Sequence, residues 1–236
     1  MDLIAQGRTA DVFDLGEGRV LRRYRDGDHD EAAREAKLLE HLAVLHYPAP
    51  HVYGVDGADL VLERVDGGTL FQEMMHEPAQ FRRYGRLLGE LHARLHRLSA
   101  PAWLVDQAGP AVGDAPVIVH RDLHPQNVIL SERGPLVIGW GSASAGRAEV
   151  DAAVTAILVL GADLGLEASV AQRVEPFRIM LVDAFLETCG VDPRDGLDEA
   201  IGFRLSTANN TAEETRWLRE EAPDCLDAFY LEPRAV

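Results

Sequence analysis

Apolar residues recur along this chain in two rhythms. Over the first 25 positions they come in close pairs, Leu3 with Ile4, Val12 with Phe13 and Val20 with Leu21, broken by Gly7, Gly16 and Gly18. Short runs between turn residues predict three strands in an antiparallel meander. From about residue 29 to 46 the rhythm lengthens. Ala32, Ala36, Leu39, Leu42 and Leu45 make a helical stripe, opened by the capping pair Asp28 and Glu31 and stopped by Tyr47-Pro48-Ala49-Pro50. Two more strands fit 51–55 and 59–65, joined by Asp56-Gly57.

Asp66-Gly67-Gly68 is the best linker candidate, because the composition changes there. After it the chain reads mostly as helix, notably over 78–98, where Leu87, Leu88, Leu91, Leu95 and Leu98 share a face. Strand patterns return at 117–119, 127–130 and 136–140. From Asp151 onward the reading is helical again, and Thr211 with Glu214 predicts a capping box for a helix over 212–221. A small β-rich lobe, 1–65, a glycine hinge and a larger helical lobe, 66–236, amount to an α+β, two-lobed architecture.

Composition narrows the function. With 236 residues and 47% apolar side chains the chain suits one domain or two small lobes with a real core. Its 39 acidic and 23 basic side chains leave a formal charge of −16, a field that repels nucleic acid and anionic membrane and suits a cationic small molecule. Two cysteines, Cys189 and Cys225, exclude a disulfide framework and a cysteine-rich zinc site. The first residues lack the basic start and apolar stretch of a signal peptide, and the longest largely apolar run, 152–160, is far short of the ~20 residues that span a bilayer. A soluble, cytoplasmic protein is expected, and the sequon Asn209-Asn210-Thr211 is read as chance. Lys37 is the sole lysine; every other basic side chain counted is arginine.

The sharpest local signal is Val117-Ile118-Val119-His120-Arg121-Asp122-Leu123-His124-Pro125-Gln126-Asn127-Val128-Ile129-Leu130. Two apolar strands flank a polar loop with the spacing H-R-D-x-x-x-x-N, that of a kinase catalytic loop. Such chemistry needs an aspartate to accept the proton of a hydroxyl acceptor and an asparagine, five residues on, to hold a magnesium ion.

With His124 and Pro125 after the aspartate, the chain resembles the aminoglycoside phosphotransferase and choline kinase superfamily over nearly its whole length. The resemblance implies a two-lobed protein-kinase-like fold, a phosphate-covering turn at Gly7, Arg8, Thr9 and Ala10, and a backbone hinge for adenine at Glu63, Arg64 and Val65. It also implies Asp122 as base, Asn127 as metal ligand, Arg22 as phosphate clamp and Glu35 as the partner of Arg22. The stretch Gly89-Glu90-Leu91-His92-Ala93-Arg94-Leu95-His96 is similar to the helix ahead of the family's catalytic loop. ATP or GTP between the lobes, Mg2+ and a small hydroxylated acceptor are the expected ligands.

Two positions depart from the family pattern. Where it carries a phosphate-gripping lysine this chain has Arg22, or Arg23 if the register slips, and an arginine presents a planar fork instead of a compact ammonium. Where it carries the aspartate that bridges metal to phosphate, before Trp140, this chain has Gly139. Rescue would need Glu149 or Asp151, and Asp151 is expected to cap the helix over 152–160 or to brace the catalytic loop. The expected function is a small-molecule phosphotransferase with weakened metal binding. The alternatives are a pseudokinase that binds nucleotide or metabolite without transfer, and a scaffold reused for metal-independent acid/base chemistry.

Other features take plainer readings. His92 and His96 stand at a zinc-like i, i+4 spacing, with no third ligand evident, and are read as one face of a helix beside the core. His120 is expected to prop the loop. Arg19, Arg22, Arg23 and Arg25 alternate along a strand, so only part of that cluster can meet a phosphate. The segment 141–150 is too short for a regulated activation loop and is followed by no A-P-E triplet, which argues against a signalling protein kinase.

Overall fold

The computed structural model describes residues 1–7, 9–25, 29–109, 112–163, 167–207 and 210–231. Arg8 of the expected turn, Asp28 of the expected cap and Asn209 of the sequon lie outside the described residues. In chain order the elements begin with β1 (Asp2–Gln6), β2 (Ala10–Gly16), β3 (Arg19–Tyr24), α1 (His29–Val44), β4 (Val52–Asp56) and β5 (Asp59–Glu63). Next come β6 (Gly68–Thr69), α2 (Leu70–His76), α3 (Phe81–Leu95), α4 (Ala102–Ala108), β7 (Val117–Val119), β8 (Val128–Ser131) and β9 (Gly134–Val137). β10 (Ser144–Gly146), α5 (Ala148–Gly161), α6 (Ala168–Leu186), α7 (Leu197–Ser206) and α8 (Ala212–Glu220) complete the chain, which is α+β.

Contacts divide it into two compact units. The first holds Met1–Glu73 and Pro125–Ala143, the second Met74–His124 and Ser144–Val236. In the first, five antiparallel strands run in the order β1-β2-β3-β5-β4. The expected meander is its first half, with Phe13 opposite Leu21 and Val12 opposite Arg22. Helix α1 buries Ala32, Ala36, Leu38, Leu39 and Leu42, while Leu45 falls beyond the helix end and is exposed.

A second sheet of this unit, β6-β8-β9, joins distant parts of the sequence. Gly68 lies opposite Leu130 and Thr69 opposite Ile129, so the expected linker enters a strand. Gly67 makes the approach possible: at φ +143 a Cβ there would lie 2.2 Å from the Leu130 carbonyl oxygen. The strand expected over 136–140 ends at Val137, Gly139 takes a left-handed conformation, and Trp140–Ser142 forms a 3-10 turn.

The second unit is mainly helical. α5 is apolar on nearly every side and buries Val150, Ala153, Val154, Ala156 and Ile157 against Val182, Leu197, Ile201 and Leu218. α3 begins after a 3-10 turn at Pro78–Gln80 and lies close on α6. A Cβ on Gly85 or Gly89 would come 2.5 Å from the Leu181 or Phe185 carbonyl oxygen, so two glycines set that spacing. Thr211 and Glu214 form the expected capping box on α8. Among the described residues no helix is long and apolar enough to cross a membrane.

Candidate active site

The first unit gathers Arg22, Glu35, Asn127 and Gly139. Arg22 lies on β3 and Glu35 on α1, which packs on that sheet, and Arg22 Nε stands 3.1 Å from Glu35 Oε2. The carboxylate is almost wholly buried, with 1% of its side chain exposed, and Tyr24 donates its hydroxyl to the same oxygen. Burial, and then the Glu35 charge, hold the Tyr24 phenol well above its ordinary range. Arg23 points away and pairs with Asp59 on β5 through two hydrogen bonds of 2.7 and 2.6 Å. Arg19 lies over the Tyr53 ring and Arg25 pairs with Asp11, so Arg22 is the strand arginine that reaches Glu35.

Two expected backbone sites belong to the same unit. The turn after β1 is closed by Gly7 N–H donating to the Ala10 carbonyl at 2.9 Å, and Thr9 accepts from the Arg25 N–H. At the hinge, Glu63 N–H donates to His51 and Arg64 N–H to Gly18, whereas the Val65 N–H meets no acceptor among the described residues. The side chains of Glu63 and Arg64 pair with Arg133 and Asp14.

The segment from Gly139 is held rigidly. Trp140 is buried, donates Nε1–H to the Val137 carbonyl at 2.9 Å and meets the Tyr47 ring edge-on at 5.6 Å. Arg34, one residue before Glu35 on α1, donates to the carbonyls of Gly141 and Ala143. A Cβ on Gly141 would lie 2.9 Å from Arg22 Nη2, so that guanidinium rests against the Gly141 backbone. Gly139 itself has φ +83, and a Cβ there would come 2.9–3.2 Å from the carboxamide of Asn127.

These residues do not fit the magnesium ion that the resemblance implies. A hard cation of this kind is held by carboxylates, and here a neutral carboxamide faces a glycine whose side-chain space it crowds. Neither proposed rescuer is a spare carboxylate. Asp151 is consumed by other bonds described below, and Glu149 lies 3.8 Å from Arg147.

The second unit carries His120–His124, the first part of the loop expected to be catalytic. Asp151 braces them from within α5, which starts a turn earlier than expected, so Asp151 is not its cap. Its Oδ2 accepts the His120 N–H at 3.0 Å and its Oδ1 the Arg121 N–H at 2.6 Å. His120 is fully buried, and its Nδ1 accepts the Asp122 N–H at 3.2 Å. Arg121 pays for this clasp with φ +63, a left-handed backbone costly for a residue with a side chain. Asp122 keeps a third of its side chain exposed, with His124 Nε2 3.8 Å from its Oδ1.

Thr155, absent from the expected set, fixes the next residue of the loop. Its hydroxyl donates to the Leu123 carbonyl at 2.7 Å and lies 2.8 Å from His92 Nε2. Because its one hydrogen is given to Leu123, it accepts from His92, which therefore carries its proton on Nε2. Burial pushes the His92 imidazole down to about 3 against the opposing pull of Asp151. His96 Nε2 lies 3.0 Å from Asp151 Oδ2. Burial alone would raise the Asp151 carboxyl, but the His96 bond, the two imidazoles and the His120 amide outweigh it and hold the carboxyl well below the usual range. The donor atoms of His92, His96 and Asp151 lie within 4.8 Å of one another, yet each residue has a hydrogen-bonding task in the loop's support.

Residues 2–110 and 102–187 match the model of the phosphotransferase enzyme family. The structure of aminoglycoside phosphotransferase APH(2'')-Ib with ADP bound is 12% identical, covers 94% of this chain and 92% of its own, and has a TM-score of 0.60. The complex of gentamicin with APH(2")-IIa is 13% identical over 94% and 92%, with a TM-score of 0.62. An ethanolamine kinase of Plasmodium vivax is 12% identical over 95% and 82%, with a TM-score of 0.57. At these identities the likeness is one of fold. No curated protein sequence matches the chain.

Proposed function

Because the chain belongs to the phosphotransferase enzyme family, we propose that it moves the terminal phosphate of ATP or GTP to a hydroxyl of a small acceptor, with Asp122 as the base. The observation that carries this reading is the loop itself. Its three consecutive residues His120, Arg121 and Asp122 have their backbone N–H groups held by buried side chains, which leaves the Asp122 carboxylate directed and partly exposed. A positioned carboxylate can take the acceptor's proton as its oxygen attacks phosphorus.

Arg22 supplies positive charge to the phosphates and Glu35 with Tyr24 fixes its fork. The Gly7–Ala10 turn covers the phosphates, and the Val65 N–H serves adenine. Asn127 is left as a polar contact, since the residue its carboxamide faces is a glycine and not a carboxylate, and no step of the transfer runs through a metal. A second reading, nucleotide or metabolite binding without transfer, is favoured by the crowding of Asn127 on Gly139.

Nucleotide binding and phosphate transfer, each measured with Mg2+ and with EDTA, test both. Phosphate transfer that disappears in Asp122→Ala, while nucleotide still binds, supports the first reading. Binding without turnover in the parent, under either condition, supports the second. An affinity that falls by ~10–100-fold in EDTA, the size of loss seen when a metal site is damaged, would overturn the claim that these residues do not fit a metal.

A further inference from the structure

Gly202 sits inside α7, where glycine weakens a helix, and nothing near it explains the choice. At Gly85 and Gly89 a Cβ would strike backbone, but a Cβ on Gly202 would meet nothing within 4 Å. The room it leaves, on an exposed stretch of α7, opens into a surface hollow of about 410 Å3 lined by Arg121, Val154, Glu199, Phe203 and Ser206. That size suits a small ligand, since such sites run to ~300–1,000 Å3.

The lining is chemically divided. Arg121 enters from a left-handed backbone, and its guanidinium carbon lies 5.2 Å from the centre of the Phe203 ring. Strain of that kind persists where the surroundings over-determine it, and it concentrates at functional sites. Glu199 adds a half-exposed carboxylate, 3.5 Å from Arg147. Ser206 donates its hydroxyl to the Phe203 carbonyl at 2.7 Å, which leaves its oxygen free to accept. One cation, one anion, an acceptor oxygen and an apolar wall therefore meet around an open space, beginning one residue from Asp122.

We propose that this cavity is the acceptor site and that it takes a small zwitterion bearing a hydroxyl. This inference rests on the phosphotransferase reading. The carboxylate of the acceptor meets Arg121, its ammonium meets Glu199, and its carbon stem lies on Phe203 and Val154. In the reaction the hydroxyl oxygen forms a bond to the terminal phosphorus of a nucleoside triphosphate, the bond from that phosphorus to the bridging oxygen breaks, Asp122 takes the hydroxyl proton, and the nucleoside diphosphate leaves. A polycation is rejected, because it would set its charge against Arg121 with a single carboxylate to offset it.

Calorimetric titration of the full chain tests this with serine, homoserine and 5-hydroxynorvaline, with the matching amino alcohols that lack the carboxylate, and with spermidine. At least one amino acid of the series is expected to bind, the matching amino alcohol to bind at least about tenfold more weakly, and spermidine to bind more weakly still. Gly202→Leu fills the cavity without a backbone clash and is expected to abolish binding while the melting temperature holds or rises. Arg121→Gly keeps the left-handed backbone, removes the cation and is expected to cost about tenfold or more in affinity. The inference is overturned if no zwitterion binds, if spermidine binds tightest, or if both variants bind as the parent does. Zwitterion binding that both variants weaken, without phosphate transfer, leaves the cavity standing as a zwitterion site and sinks the phosphotransferase reading. Transfer to an acceptor that Gly202→Leu leaves unaffected does the reverse.

Discussion

The carboxamide of Asn127 lies 2.9–3.2 Å from the point where a side chain on Gly139 would begin. Together with φ +83 at Gly139, this makes glycine a structural requirement of the segment as well as a missing ligand. Gly139→Ala is expected to destabilise the protein by about 1–2 kcal/mol from the backbone alone, with more from the crowded carboxamide. Urea unfolding of the two proteins measures it. A loss no larger than the backbone figure of about 1–2 kcal/mol would mean that the Asn127 carboxamide does not constrain residue 139.

Arg22 and Glu35 form a pair whose carboxylate has lost nearly all contact with water. Arg22→Met removes the cation paired with that charge and leaves it the Tyr24 hydroxyl as a donor, and is expected to destabilise by about 3–5 kcal/mol. Glu35→Gln in the same chain removes the stranded charge, so the double variant should lose less than the sum of the singles by at least about 1 kcal/mol. Additive losses in that cycle would show that the pair is not energetically coupled.

Much of this was legible in the sequence because it is periodic. The meander, α1, the β4–β5 pair and the box at Thr211 and Glu214 follow from runs of apolar residues with turn or cap residues at their ends. Gly68 and Thr69 have no period to display. Their strand exists because Ile129 and Leu130, about sixty residues on, lie opposite, and a two-residue pairing leaves no local pattern. The candidate site divides the same way. Asp122 stood out through the spacing of its loop, and Arg22 and Glu35 only through the family resemblance, whereas Tyr24, Arg34 and Thr155 act through contacts that only folding creates. One signal was available: beyond Glu149 in its first turn, Asp151 and Thr155 are the only polar residues of an otherwise apolar helix, and buried polar groups need partners.

Asp151→Asn tests the brace on the loop that carries Asp122. The amide offers one oxygen where the carboxylate uses two, so either the His120 or the Arg121 N–H is left facing an NH2 group inside the protein. A loss of at least about 3 kcal/mol is expected, since the site is buried and charged. Hydrogen exchange at the His120 and Arg121 amides should accelerate beyond the protein as a whole. Exchange at those two amides that changes no more than the global average would show that Asp151 supports the fold without fixing the loop.

His92 gives the stability a pH dependence with a definite sign. Its imidazole is pushed down to about 3 in the folded protein, against an ordinary value of 6.5 in the unfolded chain. Between those values the unfolded chain binds the proton and the folded protein does not, so stability falls as pH falls from about 6.5 toward 3. The stabilisation is fully present above the unfolded value, and the slope from this one group reaches about 1.4 kcal/mol per pH unit. Asp151, whose carboxyl is also depressed, adds its own loss only below its ordinary value of 3.8, so the interval above pH 4 isolates the histidine. His92→Gln keeps a donor for Thr155 but cannot titrate. Unfolding free energies at several pH values between about 4.5 and 7.5 should therefore fall less steeply on acidification in the variant than in the parent. Equal slopes would show that the His92 proton is not excluded by folding.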